Sequence, residues 1–353
     1  MRLLAETEEF FQEYAAKELS LILSKEVLKH EYLKNMVTVN TDTLTRDLVL
    51  ITFFSHSIYR FYLEVAELIV ESPNDMYRKA LEINWHEFWD PSQTFAIRPF
   101  TEKRAIERDI GVKVGQAIVD AFLKETGKRP KVRLENPDIE IMAWLKDEKL
   151  LLGINMCGEP LNDPEILFAR NLLFISNWDE KSDLAEVFCD GVAISALRLA
   201  VRDPHREKIL KRTFIKTKIV NKEEILELMR TNWRRNLGEL TINCYERANR
   251  IEIVKQENPE IRKVGIRRLE DLRISTEKYI LSNTFFVIEK KSEEKEWLDK
   301  IFNLLKNNDS WETMCVCALS EAFPQDYIGE KLYELNIKFK GKSGKIVCLS
   351  NNR

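Results

Sequence analysis

Residues 102–127, EKRAIERDIGVKVGQAIVDAFLKETG, constrain the fold more than any other stretch of the chain. Ile106, Ile110, Val114, Ile118 and Phe122 recur every fourth residue, which lays one apolar stripe along a single long helix, and Gly127 supplies a left-handed stop. Such a stripe must be covered by a sheet or by another helix. The flanks offer a sheet. TFAIRPF, just before the helix, alternates between faces as a strand does. After the turn KRPKVRLENPD comes IEIMAWLKDEKLLLGINM, which reads as two strands turning at Lys146, Asp147, Glu148 and Lys149.

Upstream, RLLAET reads as a strand, followed by a helix carrying Phe10, Phe11, Tyr14, Ala15 and Leu19 on one side, with Thr7 and Glu8–Glu9 as its start. MVTVNT is a further strand, and TRDLVLITFFSHSIYRFYLEVAEL is a helix running into a strand. Ser72–Pro73 opens another helix, SPNDMYRKALEI, and WHEFWDPSQ reads as a loop. GEPLNDPE is the clearest linker. Beyond it helices and strands alternate, which implies a parallel α/β sheet. A chain of 353 residues is too long for one ordinary core. Three parts are expected: residues 1–70, 71–161 and 162–353.

Composition narrows the function classes. A net charge of −3 excludes a generally basic coat, so any nucleic-acid surface must be local. The six cysteines, Cys157, Cys189, Cys244, Cys315, Cys317 and Cys348, lack zinc-ligand spacing and read as reduced core thiols. The four histidines are far apart with no ligand pattern beside them, so no metal is expected. The start MRLLAETEEFFQEYAAKEL has no basic segment before an apolar run, and DLVLITFF is far short of the ~20 apolar residues a membrane-spanning helix needs. A cytoplasmic protein with no membrane contact is expected.

Several pieces share one order and spacing: Phe95-Ala96-Ile97-Arg98, Val114 to Asp120, Arg129-Pro130-Lys131-Val132, Asn136-Pro137-Asp138 and Gly158-Glu159-Pro160-Leu161. In these the chain resembles the THUMP domain, an RNA-binding module of tRNA-modifying proteins, preceded by the ferredoxin-like segment found in its methyltransferase branch. The resemblance implies that this half grips the acceptor region of tRNA. The residues agree: Arg98, Lys103, Arg104, Lys128, Arg129, Lys131 and Arg133 all fall in strand ends and turns next to the long helix. A local cationic face can hold phosphates at negative net charge, because screening confines the field to about 8–10 Å.

The remainder resembles a class I, S-adenosylmethionine-dependent methyltransferase of the kind acting on guanine N2 in tRNA. The expected fold is therefore multidomain α/β: a ferredoxin-like segment, a THUMP α+β domain and a Rossmann-like methyltransferase-type domain. Active relatives carry D-P-F-C-G-S-G-T after the first strand, whereas this chain has Glu186-Val187-Phe188-Cys189-Asp190-Gly191-Val192-Ala193. Asp190 and Val192 stand where the family has glycines that let the backbone approach the cofactor. The resemblance assigns the ribose-binding acid to Asn243–Cys244, with Glu246 later than expected, and the adenine-binding pair to Arg267–Arg268, with Asp271 just beyond. The family's N-P-P-Y motif is represented by Asn283-Thr284-Phe285-Phe286. Asn283 would accept from the target amino group and Phe285 or Phe286 would stack on the base, without the prolines that stiffen the acceptor.

Scaffold kept and chemistry eroded is the signature of a protein that binds tRNA but no longer methylates, with no cofactor, serving as RNA binder or as partner of an active methyltransferase paralogue. The alternative is a divergent but active tRNA guanine-N2 methyltransferase, with S-adenosylmethionine as cofactor and Phe188, Cys189, Asp190, Gly191, Asn243 and Asp271 around it. A third reading is a protein-interaction subunit that binds no RNA. One more basic stretch, ALRLAVRDPHREKILKRTFIKTK, adds Arg206, Lys211 and Arg212 as candidate RNA contacts.

Overall fold

The computed structural model describes residues 1–178, 182–187, 206, 208–209, 217–230, 242–245, 264–267, 279–283, 285, 291–307 and 310–351. They form two compact units, one of Met1–Leu161 with Pro204–Asn232 and one of Asn162–Asp203 with Trp233–Arg353.

The first unit is built on one eight-stranded sheet. Its strands are β1 (Arg2–Glu6), β2 (Val27–Lys29), β3 (Met36–Asn40), β4 (Arg60–Ile69), β5 (Thr94–Thr101), β6 (Lys131–Val132), β7 (Ile139–Lys146) and β8 (Lys149–Asn155), in the order β2-β3-β1-β4-β8-β7-β5-β6. The helices are α1 (Gln12–Leu23), α2 (Leu44–Phe54), α3 (Pro73–Leu81), α4 (Arg104–Thr126) and, from the later segment, α6 (Lys222–Arg230). The ferredoxin-like segment and the α+β domain after it share this sheet, because β4 pairs with β8 along most of its length. Residue 70 lies at the corner between β4 and α3, and the sheet is continuous across it.

Local chemistry explains the elements. Ser72 caps α3 by accepting from Asp75 N (3.2 Å), and Pro73 fills the first turn, where a missing N–H costs nothing. Gly127 ends α4 at φ +69°, and Asp147 takes φ +54° in the turn between β7 and β8. On α4, Ile110, Val114, Ile118 and Phe122 are fully buried, as their spacing requires. WHEFWDPSQ, expected as a loop, is a core plug. Trp85 and Trp89 are almost fully buried, and the Trp89 ring lies 5.2 Å from Phe122. Aromatic burial of this kind contributes to stability without any periodic signal.

The second unit holds a seven-stranded sheet of β9 (Leu184–Val187), β10 (Ile242–Tyr245), β11 (Val264–Arg267), β12 (Tyr279–Asn283), β13 (Thr313–Leu319), β14 (Glu330–Phe339) and β15 (Lys342–Ser350), in the order β11-β10-β9-β12-β13-β15-β14. Counted within this unit the order is 3-2-1-4-5-7-6, and β15 is antiparallel to both neighbours while the other pairs are parallel. This is the class I methyltransferase sheet that the sequence led us to expect. Helices α5 (Pro164–Ile175) and α7 (Lys291–Lys306) pack on it. Leu298, Ile301, Phe302 and Leu305 of α7 meet Ile280, Met314, Val316, Val347 and Leu349 in one core.

The cysteine expectation needs correction. Cys315 and Cys348 face each other directly in the β13–β15 register, with Cα atoms 4.1 Å apart, and form a disulfide. Cys157 and Cys317 are buried thiols outside this disulfide, both pushed well above the usual thiol range by burial. Among the described residues no helix is long and apolar enough to cross a membrane.

Candidate methyl-transfer edge and nucleic-acid interface

The carboxyl edge of the second sheet gathers the chemistry-bearing positions. β9, β10 and β12 run parallel in a register that aligns Val187 with Tyr245 and with Ser282. Asn283, one step further, lies opposite Cys317 of β13. The order of connection reverses between β9 and β12, and in open α/β sheets the crevice at such a switch point is where ligands bind. Ser282 Oγ donates to Val187 O (3.1 Å), tying the two strands together at that point. Glu186 is wholly buried within β9.

Register places two of the expected residues inside strands. Asn243 lies inside β10, paired with Ala185 and Gly265, two residues before the described strand ends at Tyr245. The next residue in the chain is Glu246, so the acid that looked late in the sequence directly follows the strand. Arg267 likewise belongs to β11, aligned with Tyr245. Phe188, Cys189, Asp190, Gly191, Asp271 and Phe286 lie outside the described residues.

Phe285, expected with Phe286 as a candidate base-stacking aromatic, lies in the core. It is 1% exposed, its ring lies parallel to Phe168 at a centroid distance of 6.1 Å, and its N–H donates to Cys317 O (3.2 Å). Gly344 makes room for it: a Cβ there would sit 2.5 Å from Phe285 Cε2. Two residues beyond Asn283 the chain is therefore anchored in the core.

In the first unit the expected cations separate into groups. Arg104 and Arg129 line one groove of 980 Å³ between α4 and the edge strand β6, together with the apolar Phe95, Ile97, Val132 and Leu134 and the acidic Glu107 and Asp120. Arg108 joins them. Sequence reading passed over it, although it is four residues from Arg104 and so shares a helix face. Lys103, Lys128, Lys131 and Arg133 are exposed, and like the three groove arginines none pairs with a carboxylate among the described residues. Arg98 stands apart. It is bound to Glu140 (2.7 Å) and Leu134 O (2.7 Å), and it lines a second cavity of 320 Å³ with Asn155, Lys208 and Thr217. The Thr217 hydroxyl there is buried, with no hydrogen-bond partner among the described residues.

Arg206, expected as an RNA contact, is turned inward. It is 2% exposed and donates to Thr52 O (3.1 Å) and Phe53 O (3.0 Å), the last carbonyls of α2, while a second guanidinium nitrogen lies 3.1 Å from His56 Nδ1. A cation at a helix C-terminus satisfies orphan carbonyls and the helix dipole together. From the other side Glu18 accepts from His56 N (3.0 Å) and Ser57 N (2.9 Å). Asn221 N donates to Thr45 Oγ1 (3.1 Å), so the inserted segment is held to α2 at two places. Lys211 and Arg212 lie outside the described residues.

Comparison with known proteins follows this geometry. Residues 70–155 match the THUMP domain family. A tRNA (guanine(6)-N2)-methyltransferase of Methanocaldococcus jannaschii is 28% identical over 142 residues, 35% of this chain and 37% of that protein. The match thus spans little more than a third of that relative's length. A possible methylase from Clostridium difficile 630 superposes over 100% of this chain and 98% of its own, with a TM-score of 0.79 at 15% identity. TrmN from Thermus thermophilus superposes over 99% of both chains, with a TM-score of 0.68 at 14% identity. At such identities the likeness to the two structures speaks for the fold alone.

Proposed function

We propose, from the premise that this is a THUMP-domain protein related to tRNA guanine-N2 methyltransferases, that it binds tRNA through its first unit and methylates a guanine N2 with its second. The observation that carries the reading is the carboxyl edge of the second sheet. β12 ends on Asn283 beside the switch point, and an acid, Glu246, directly follows β10. The anchoring of Phe285 supports it further. The prolines of the family motif hold the acceptor in place, and here the Phe285 ring and its N–H to Cys317 O can serve that end. Placement matters because about 1 Å of error can cost on the order of a hundredfold in rate.

In this reading the Asn283 side-chain carbonyl accepts from the exocyclic amino group, orienting the nitrogen lone pair for attack. Glu246 would hold the ribose hydroxyls of S-adenosylmethionine, and Gly191 would let the loop after β9 approach its amino-acid end. Bound there, the cofactor supplies an electrophilic methyl group. The test is transfer of tritiated methyl to unfractionated tRNA. Asn283→Ala is expected to lower the rate by about a hundredfold or more, with tRNA affinity unchanged. Equal rates for wild type and variant contradict the assignment.

A second reading, a tRNA binder that does not methylate, is favoured by Asp190 and Val192 in place of the loop glycines. A carboxylate at residue 190 would repel the cofactor's own. That reading expects tRNA binding with no methyl transfer under any condition.

A further inference from the structure

The second unit carries a cationic feature outside every patch described above. β14 and β15 are joined by Lys340–Gly341, at φ +47° and +81°, the two-residue turn with both central residues left-handed. Asn, Asp or Gly fits the first of these positions at less cost than Lys. An outlier of this kind is a starting point for a functional hypothesis. Lys338, Lys340 and Lys342 are exposed, and none pairs with a carboxylate among the described residues. Lys345, further along, is bound to Glu334 (2.9 Å) and belongs to the hairpin's own structure.

Topology sets where the tip lies. β13 and β14 are both antiparallel to β15, so they run the same way. The end of β14 at Phe339 therefore falls on the sheet edge where β12 ends at Asn283. Beneath the tip is a cavity of 260 Å³ lined by Asp163, Pro164, Glu165, Phe285, Phe339, Lys340 and Lys342. Phe339 is half-buried and T-shaped against Phe168, ring centroids 5.6 Å apart, with the Lys340 ammonium over its ring at 5.3 Å from the centroid. The α5 wall is acidic: Asp163 Oδ1 accepts from Ile166 N (2.9 Å) as the helix cap, and Glu165 lies in the first turn.

These signs suit one kind of occupant. An aromatic ring between lysines takes a base on its face and phosphates at its rim, whereas carboxylates across the cleft repel phosphate and accept from base amino groups. We propose that this cleft is a nucleotide-holding subsite for RNA. One base stacks on Phe339, Lys340 and Lys342 take the flanking phosphates, and the held nucleotide neighbours the one presented to Asn283. This rests on the reading of the chain as a tRNA-acting protein.

The test uses the full chain and unfractionated tRNA, with affinity measured across a salt series. Lys340→Asn separates charge from folding, since Asn suits the turn better. The melting temperature should hold or rise while affinity falls about three- to tenfold near 0.1 M salt. Lys340→Asn with Lys342→Gln should lower the slope of log affinity against log salt by about 1.5 to 2. Phe339→Leu, which keeps the packing on Phe168, should weaken binding without changing that slope. Lys331→Gln, at the other end of β14, should change nothing. If the wild type binds tRNA and the double lysine variant binds with the same affinity and slope, the subsite is overturned and the tRNA reading stands. If the wild type binds no tRNA, both fall.

Discussion

Arg206 holds a corner that the charge pattern assigned to RNA. Its guanidinium sits between two α2 carbonyls and His56, and hydrogen bonds from a charged donor to buried acceptors contribute roughly 1.5–3 kcal/mol each way of counting. Arg206→Ala should therefore lower unfolding stability by about that amount in denaturant titration, with no change in the salt dependence of tRNA binding. Gly344→Ala is expected to cost about 1–3 kcal/mol, because a methyl group there meets the Phe285 ring. A thermal melt reads it directly. His30 gives a pH signature. Burial, then Arg2, holds its pKa below the usual imidazole value, against the opposing pull of Glu67 and Glu31, with Lys149 adding to the depression. Its Nδ1 accepts from the N–H groups of Tyr32 and Leu33, both at 3.4 Å, and a proton there would remove that acceptor. A base with a depressed folded pKa contributes stability that is present above its unfolded pKa and lost as pH falls below it. The melting temperature should thus decline from about pH 6.5 downward, and His30→Gln should flatten that part of the curve.

At the scale of elements, the sequence was most legible where a pattern is periodic or a cap is chemical. α4 with its Gly127 stop, Ser72–Pro73 at α3 and the turn at Asp147 all stand where spacing put them. What spacing could not give was strand register. Asn243 looked like the residue after β10, yet the ladder to Ala185 and Gly265 keeps it inside, and Glu246 is the acid that follows the described strand in sequence. Register also decides which cysteines face each other, and so hid the Cys315–Cys348 pair. Burial was equally hidden for Phe285 and Arg206, because an aromatic near a motif and an arginine in a basic run look alike whether they face solvent or core. The groove between α4 and β6 was only half legible, with Arg108 unmarked by any turn or strand end. Charge reversal of Arg104 and Arg108 together should lower tRNA affinity and reduce the log–log salt slope by about 2, as filter binding at several salt concentrations would measure.

For the whole molecule, the proposed function assigns a task to each of two compact units: one bears the THUMP match and groove cations that pair with no carboxylate among the described residues, the other the 3-2-1-4-5-7-6 sheet with Asn283 at its edge. Asp190, Val192, Thr284 and Phe285 stand, in the sequence connections after β9 and β12, where the resembled family has glycines and prolines. Whether those connections still admit the methyl donor decides between the two functional readings. The direct measurement is a calorimetric titration of the full chain with S-adenosylmethionine, repeated with Glu246→Ala. The account predicts saturable binding by the wild type, weakened at least tenfold by the substitution. A titration with no heat of binding, at protein and ligand concentrations that would reveal millimolar affinity, would contradict it.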